Sequence, residues 1–248
     1  MKKPPFFILG CVRSGTTLLR DILRIHPNLE CPEETYFFRW GEPFGTDRYN
    51  IKCVKNRHIK LHREIDGVSE QEFAGLLRAA DSRKTLAEAY AQLYLEKKGK
   101  AHARWFDKTP QNIYGILLLK AFFPESKIIH IYRNPLNVVC SLMEGKVMPV
   151  HSLKGAVNYW VEAMHIINGY KAGLCQNLLE ISYEALTQRP DAVIEKLLLF
   201  IGEDPKLLKI PAQYVHKEQN KFKTTLSKEQ IAAIIQQCEP YYSQYHYK

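Results

Sequence analysis

Phe6-Phe7-Ile8-Leu9-Gly10-Cys11-Val12-Arg13-Ser14-Gly15-Thr16-Thr17 is the stretch on which the fold turns. Its first four residues are a continuous apolar run closed by Gly10, which predicts a buried strand of a parallel sheet. From Thr16 to His26, the residues Leu18, Leu19, Ile22, Leu23 and Ile25 keep helical spacing, and Pro27 stops it. Between strand and helix, Gly10 and Gly15 have the GxxxxG spacing of a loop whose backbone N–H groups converge on a phosphate. The nucleoside-triphosphate version of that loop continues with Lys, but Thr16 stands there. The second predicted strand also ends in Tyr132-Arg133, with no acidic residue to hold magnesium. An ATP-dependent small-molecule kinase is therefore the disfavoured alternative, and Arg13 is the cation of this loop.

Strand, turn and helix recur downstream. Lys127 to Tyr132 reads as a strand, and Pro135 sits where a helix starts and runs to about Glu144. Leu178 to Ser182 is a third strand candidate. Ser69-Glu70-Gln71-Glu72 is a capping box that opens a helix through about Ala80. Further helical spacing covers about Thr85 to Lys98, Asn112 to Phe123, Leu153 to Ala172 and Ala192 to Ile201, and Ser227 caps a last helix to about Cys238. Tyr241 to Lys248 is an aromatic tail. Residues 41–67, with Gly, Pro, Asn and many charges, read as an irregular excursion. Strands alternating with helices predict an α/β fold with a central parallel sheet, and the absence of a repeat or linker predicts a single domain over 1–248.

Composition narrows the function classes. With 46% hydrophobic and 25% charged residues, the 248-residue chain is neither disordered, nor fibrous, nor a cysteine-stapled scaffold. A net charge of +9 favours anionic partners: nucleic acid, anionic lipid, a phosphorylated or sulfated small molecule, or an acidic polypeptide. A non-catalytic nucleic-acid-binding protein is a third reading, but no aromatic-basic recognition motif supports it, so nucleic acid is not expected. No run of ~18 apolar residues predicts a membrane span. The six cysteines form no CxxC pair, there is no HExxH, and His58 and His62 have no carboxylate between them, so no metal site is expected. Dispersed cysteines without a secretion signal suggest a reducing cytoplasm.

Arg13-Ser14-Gly15-Thr16-Thr17 resembles the 5′-phosphosulfate loop of sulfotransferases that use 3′-phosphoadenosine 5′-phosphosulfate (PAPS). Ile131-Tyr132-Arg133-Asn134-Pro135, with Ser141 eight residues after Arg133, resembles the 3′-phosphate motif of the same family. A fixed guanidinium at a strand end is a good phosphate partner in any case. Ser182-Tyr183-Glu184 with Arg189-Pro190 resembles the segment whose Tyr lies near the nucleotide; Tyr183 is equally readable as a core aromatic. The resemblance implies a three-layer, P-loop-like sulfotransferase fold, with PAPS as donor, adenosine 3′,5′-bisphosphate (PAP) as product and no metal.

The tyrosylprotein branch gives the nearest likeness. His26-Pro27 through Cys31-Pro32-Glu33-Glu34-Thr35 resembles its His-Pro…Cys-Gly-Glu-Glu-Thr, which maps the acceptor-deprotonating base onto Glu34. If residues 31–36 are extended, Glu33 and Glu34 point to opposite sides, so only one faces the site. Asp107-Lys108-Thr109-Pro110 resembles a segment whose Lys assists the sulfuryl group. Arg13 and Lys108 then stabilise charge on the leaving oxygen. The sequence departs from the branch at three points. Its strand begins almost at Met1, leaving no room for the branch's membrane anchor. Phe106 replaces the cysteine that the branch pairs with the one at Cys31, so that disulfide is not expected. Tyr36 replaces a basic residue that grips an acidic acceptor. The acceptor is therefore a hydroxyl left open among acidic peptide, phenol and glycan, with residues 41–103 as the variable acceptor side. Lys52, Lys55, Arg57, His58, Lys60, His62 and Arg63 read as a solvated basic loop or as an acceptor contact, and Lys221 or Lys223 as a closing contact on the 3′-phosphate.

Overall fold

Strand β1 (Phe6–Gly10) is buried at every residue and occupies the middle of the sheet. The protein is seen here as a computed structural model that describes residues 3–145, 150–214 and 218–247. After β1 come α1 (Thr16–Leu23) and the two-residue strand β2 (Leu29–Glu30). Four helices follow: α2 (Asp47–Lys55), α3 (Arg57–Asp66), α4 (Glu70–Ala79) and α5 (Arg83–Lys97). Strand β3 (Arg104–Lys108) leads through a 3-10 turn (Pro110–Gly115) to α6 (Ile116–Phe122). Then come β4 (Lys127–Tyr132), α7 (Pro135–Met143), α8 (Leu153–Leu174) and β5 (Leu178–Ser182). The chain closes with α9 (Tyr183–Gln188), α10 (Pro190–Ile201), α11 (Phe222–Thr225), α12 (Lys228–Cys238) and α13 (Tyr241–Gln244).

All pairings are parallel, in the order β2-β3-β1-β4-β5. Alternate residues of β1 face opposite ways, as the pleat requires. Phe7 and Leu9 enter a core with α2 and α4 to α8, while Phe6 and Ile8 enter a core with α1 and α10. This makes three layers. Helix α1 shows why the first segment folds as it does: Leu19, Ile22 and Leu23 are buried in the core beside the sheet, and Arg20, also buried, pairs with Asp21 and Glu33.

Three expectations need correction. Residues 41–67 are not irregular throughout, because α2 and α3 lie there, capped by Thr46 and by Asn56. Their inward residues are Tyr49, Cys53, Ile59, Arg63 and Asp66. Two of the five are charged, so the apolar period is broken in the sequence. The basic segment is therefore helical, with Lys55, Arg57, His58 and Lys60 exposed but Arg63 buried, donating to the Cys53 carbonyl at 2.8 Å and to Glu70 at 2.8 Å. Strand β3 is a strand that sequence spacing does not mark, since it buries Asp107 and Lys108 beside Phe106. Helix α1 also ends at Leu23, short of His26.

The 3-10 turn lies hard against the segment after β2. A Cβ on Gly115 would stand 1.6 Å from the Phe38 carbonyl oxygen, which is backbone and cannot step aside. Gly115→Ala should lower the unfolding free energy by about 1–3 kcal/mol, the usual cost of forced overpacking, measurable by urea denaturation.

Candidate active site

Parallel α/β sheets present ligands to the carboxyl ends of their strands. Here all five strand ends contribute to one region. Two adjoining clefts of about 470 Å³ and 430 Å³ share Arg13, Arg133, Ser141, Gly145 and Tyr183. The first also takes in Thr16, Thr17, Glu33, Glu34 and Lys108, and the second Glu218 and Lys221. A larger cleft of about 850 Å³ lies at the other end of the sheet, where Lys3 and Arg104 both pair with Glu203.

The loop after β1 is built on backbone that few residues tolerate. Gly10 has φ 155°, and a Cβ there would meet the Ile131 carbonyl oxygen at 2.4 Å. Gly15, the N-cap of α1, has φ 92°, and a Cβ there would lie 2.2 Å from the Tyr183 ring. Arg13 itself is left-handed, with φ 68°, a strained conformation for a residue with a side chain. No side chain caps α1, and its first turn holds no acidic residue. Ser14 is fully buried and its Oγ has no partner among the described residues. The loop thus ends in backbone donors and a positive helix end suited to an anion.

Arg13 Nε donates to Ser141 Oγ at 2.9 Å, and Arg133 Nη1 donates to the Arg13 carbonyl at 3.1 Å. Thus Ser141 meets Arg13, while Arg133 packs over the Tyr183 ring at 4.4 Å and pairs with Glu218 at 2.6 Å. The Arg133 backbone is pinned by Trp160, whose indole N–H donates to its carbonyl at 2.9 Å. Tyr183 is therefore both a packing aromatic and a wall of the cleft.

Beyond β2, Glu33 and Glu34 both line the first cleft, which corrects the expectation that only one faces it. They differ in partners. Glu33 takes Arg20 at 2.5 Å and Arg24 at 3.3 Å. Burial would raise its carboxyl, but the Arg20 charge and hydrogen bond, then Arg24 and Lys108, outweigh burial and hold it below the usual carboxylate range. Glu34 meets the Lys108 ammonium at 2.5 Å through Oε1 and accepts the Tyr36 hydroxyl at 2.7 Å through Oε2. Lys108 is 2% exposed and also reaches Thr17 Oγ1 at 3.4 Å.

Sequence reasoning missed the frame around Glu34. Thr35 donates its hydroxyl to Asp107 at 2.6 Å and its N–H to Thr109 at 2.9 Å. Asn112 bridges Asp107 at 3.1 Å to the Phe38 N–H at 3.2 Å. Tyr36 is left-handed, φ 59°, and stacks between Trp40 and His62. His62 donates Nδ1–H to the Glu34 carbonyl at 3.0 Å. Burial, then Glu34, pushes the Tyr36 phenol up, so it stays protonated and donating. The Asp107-Lys108-Thr109 string signalled the place, but not these cross-links. Lys221 lines the second cleft, and Lys223 lies on α11. No group of three or more His, Cys, Asp or Glu suited to a metal occurs among the described residues.

A glycine loop at a helix N-terminus, a second strand-end arginine and a carboxylate-lysine pair thus lie around one pair of adjoining clefts. Residues 4–205 match the Sulfotransferase family, and the chain belongs to that family. It is 30% identical over 209 residues to a protein of Aquifex aeolicus, covering 80% of this chain and 25% of that one. It is 25% identical over 206 residues to the protein-tyrosine sulfotransferase of Drosophila melanogaster, covering 80% and 38%. The chain thus spans a quarter to a half of the first curated relatives it matches. Its fold matches the sulfotransferase domain of a Synechococcus olefin synthase, with a TM-score of 0.68, 23% identity and 97% and 96% coverage. A mouse sulfotransferase solved with PAP matches with a TM-score of 0.51, 12% identity and 96% and 84% coverage. The chain shares the α/β fold of these sulfotransferases, with its central parallel sheet.

Asp107 gives a pH signature to this frame. Burial pushes its carboxyl up to about 6, against the hydrogen bonds from Thr35 and Thr109. The folded value lies above the ordinary value of about 4. Its contribution is therefore fully present below pH ~4 and lost as pH rises through ~6. Asp66, raised to about 6 mainly by burial, acts in the same window and with the same sign. The share of unfolding free energy carried by these two carboxyls should fall across pH 4 to 6, and Asp107→Asn should make the measured slope more positive there by up to about 1.4 kcal/mol per pH unit.

Proposed function

We propose that the chain transfers the sulfuryl group of PAPS to an acceptor hydroxyl, with Glu34 as general base and no metal. The observation that carries this reading is the convergence of Arg13, Lys108, Glu34 and Arg133 on adjoining clefts from four different strand ends. The PAP bound by the mouse sulfotransferase supports the donor by analogy. The loop fits that donor by its own features: the uncapped α1 N-terminus, the unpartnered Ser14 hydroxyl and the Gly15 contact that lets Tyr183 close down.

PAPS supplies a sulfur activated by its bond to the 5′-phosphate. Arg13, Ser14, Gly15, Thr16 and Thr17 would hold the 5′ side through backbone donors and the guanidinium. Arg133, Ser141 and Tyr183 would hold the 3′-phosphate side. Glu34 would take the acceptor proton while the acceptor oxygen forms its bond to sulfur and the bridging S–O bond breaks, releasing PAP. The Lys108 ammonium lies between Thr17 and Glu34, so it can serve the charge that grows on the bridging oxygen. Glu33 is the weaker candidate, because two arginines hold it.

Hydroxyl-bearing acceptors are the class implied, with phenol, tyrosine peptide and glycan all open. The Drosophila relative's name supports a tyrosine acceptor, whereas Tyr36 and not a basic residue follows the Glu-Glu-Thr string here. We place the enzyme in a reducing cytoplasm and read it as one domain. Buried, unpaired thiols at Cys11, Cys31, Cys53, Cys140 and Cys238 support that compartment.

Labelled PAPS offered with a tyrosine peptide, a small phenol and a glycan should label at least one of them. Glu34→Gln should cut that transfer by roughly 10²–10⁴-fold and leave PAP affinity within about twofold. Retained turnover in a variant that still binds PAP would remove Glu34 from the role of base.

A further inference from the structure

We propose that Glu218 is an internal anion seated in the 3′-phosphate site, and that the donor must displace it to bind. The proposal rests on the donor assignment above and names a competitor within the same site. Glu218 Oε2 accepts from Arg133 Nε at 2.7 Å and from Nη2 at 2.6 Å. The two side chains are 13% and 16% exposed, so the contact is largely out of water and only weakly screened by salt. The other oxygen, Oε1, accepts the backbone N–H of Gln219 at 3.0 Å and of Asn220 at 3.3 Å. The carboxylate is thus gripped at both ends.

Its turn is fastened to the protein as well. Asn220 is left-handed, φ 48°, and its Oδ1 accepts from Asn137 of α7 at 3.0 Å. Further on, the Thr225 hydroxyl meets Glu144, just past the end of α7, at 3.3 Å. Residues 218–225 form a strap that lines the second cleft through Glu218, Gln219 and Lys221, and Glu218 is its contact to Arg133. The cleft behind it holds Arg13, Ser141 and Lys221 in addition to Arg133.

The chemistry favours an exchange of anions. A partly buried guanidinium left without a partner is costly, so the ligand-free protein benefits from a carboxylate there. A phosphate has more acceptor oxygens than Glu218 can offer Arg133, and it can also use Lys221 and Ser141. Donor affinity is then the difference between two anions on one arginine. A nucleotide without a 3′-phosphate gains nothing from the exchange and leaves the strap in place.

Isothermal titration calorimetry of the full chain tests this with PAP and with adenosine 5′-monophosphate. Glu218→Gln should tighten PAP by about tenfold, the scale of one charge-assisted contact, and change the monophosphate by less than about twofold. Glu195→Gln removes the same charge from the exposed face of α10, away from Arg133 and the strap, and should leave PAP within about twofold. Glu218→Ala, checked for folding by thermal melt, should behave as Glu218→Gln does. Unchanged or weaker PAP binding in Glu218→Gln overturns the proposal while leaving the donor reading intact. Equal tightening in the Glu195 variant reduces the effect to bulk charge and also overturns it. PAP binding to neither wild type nor Glu218→Gln would defeat the donor reading and this proposal together.

Discussion

A lysine ammonium is held out of water at the carboxyl end of β3, and the surrounding structure is arranged to answer it. Lys108 is nearly inaccessible and its countercharge is Glu34. A buried charge without its partner would be strongly destabilising, so the segment after β2 has to bring a carboxylate to that spot. It does so through Thr35, which ties the backbone to Asp107 and Thr109, and through Tyr36, which holds the second oxygen of Glu34. The close approach of Gly115 to Phe38 belongs to the same arrangement, because it brings the 3-10 turn after β3 against this segment.

The other half of the site depends on a second pair of close approaches. Gly10 lets the end of β1 lie against the Ile131 carbonyl of β4, and Gly15 lets Tyr183 lie on the loop. These contacts bring Arg13, Ser141, Arg133 and Tyr183 within reach of one another. The strain of a left-handed Arg13 is held by this packing, and the result is a cationic rim over an uncapped helix end. The two halves meet where Lys108 touches Thr17 of α1. A donor gripped by the loop would therefore lie beside the carboxylate-lysine pair.

The parallel sheet was readable where strands are wholly apolar, as in β1, or keep a mostly apolar run, as in β4 and β5. It was not readable in β3, where Asp107 and Lys108 are buried as charges, a pattern that periodicity takes for a surface. Helices α2 and α3 were hidden for the same reason, since Arg63 and Asp66 face inward. Site residues at strand ends could be named from the loop glycines and the arginines after β1 and β4. Their mutual partners could not. Nothing in the spacing of Arg133 and Ser141 shows that the serine meets Arg13, and nothing near Arg133 in sequence announces Glu218, 85 residues away. Long-range polar pairing leaves no local pattern.

The central claim is that this rim binds a 3′-phosphorylated adenine nucleotide and is not a nucleoside-triphosphate or nucleic-acid site. Thermal stability followed during titration with PAP, ATP–magnesium and a DNA oligonucleotide tests it directly, because a ligand that binds the folded state raises the melting temperature. The account predicts a saturable rise with PAP that exceeds any rise with ATP–magnesium or DNA. Stabilisation by ATP–magnesium or DNA without stabilisation by PAP would contradict it.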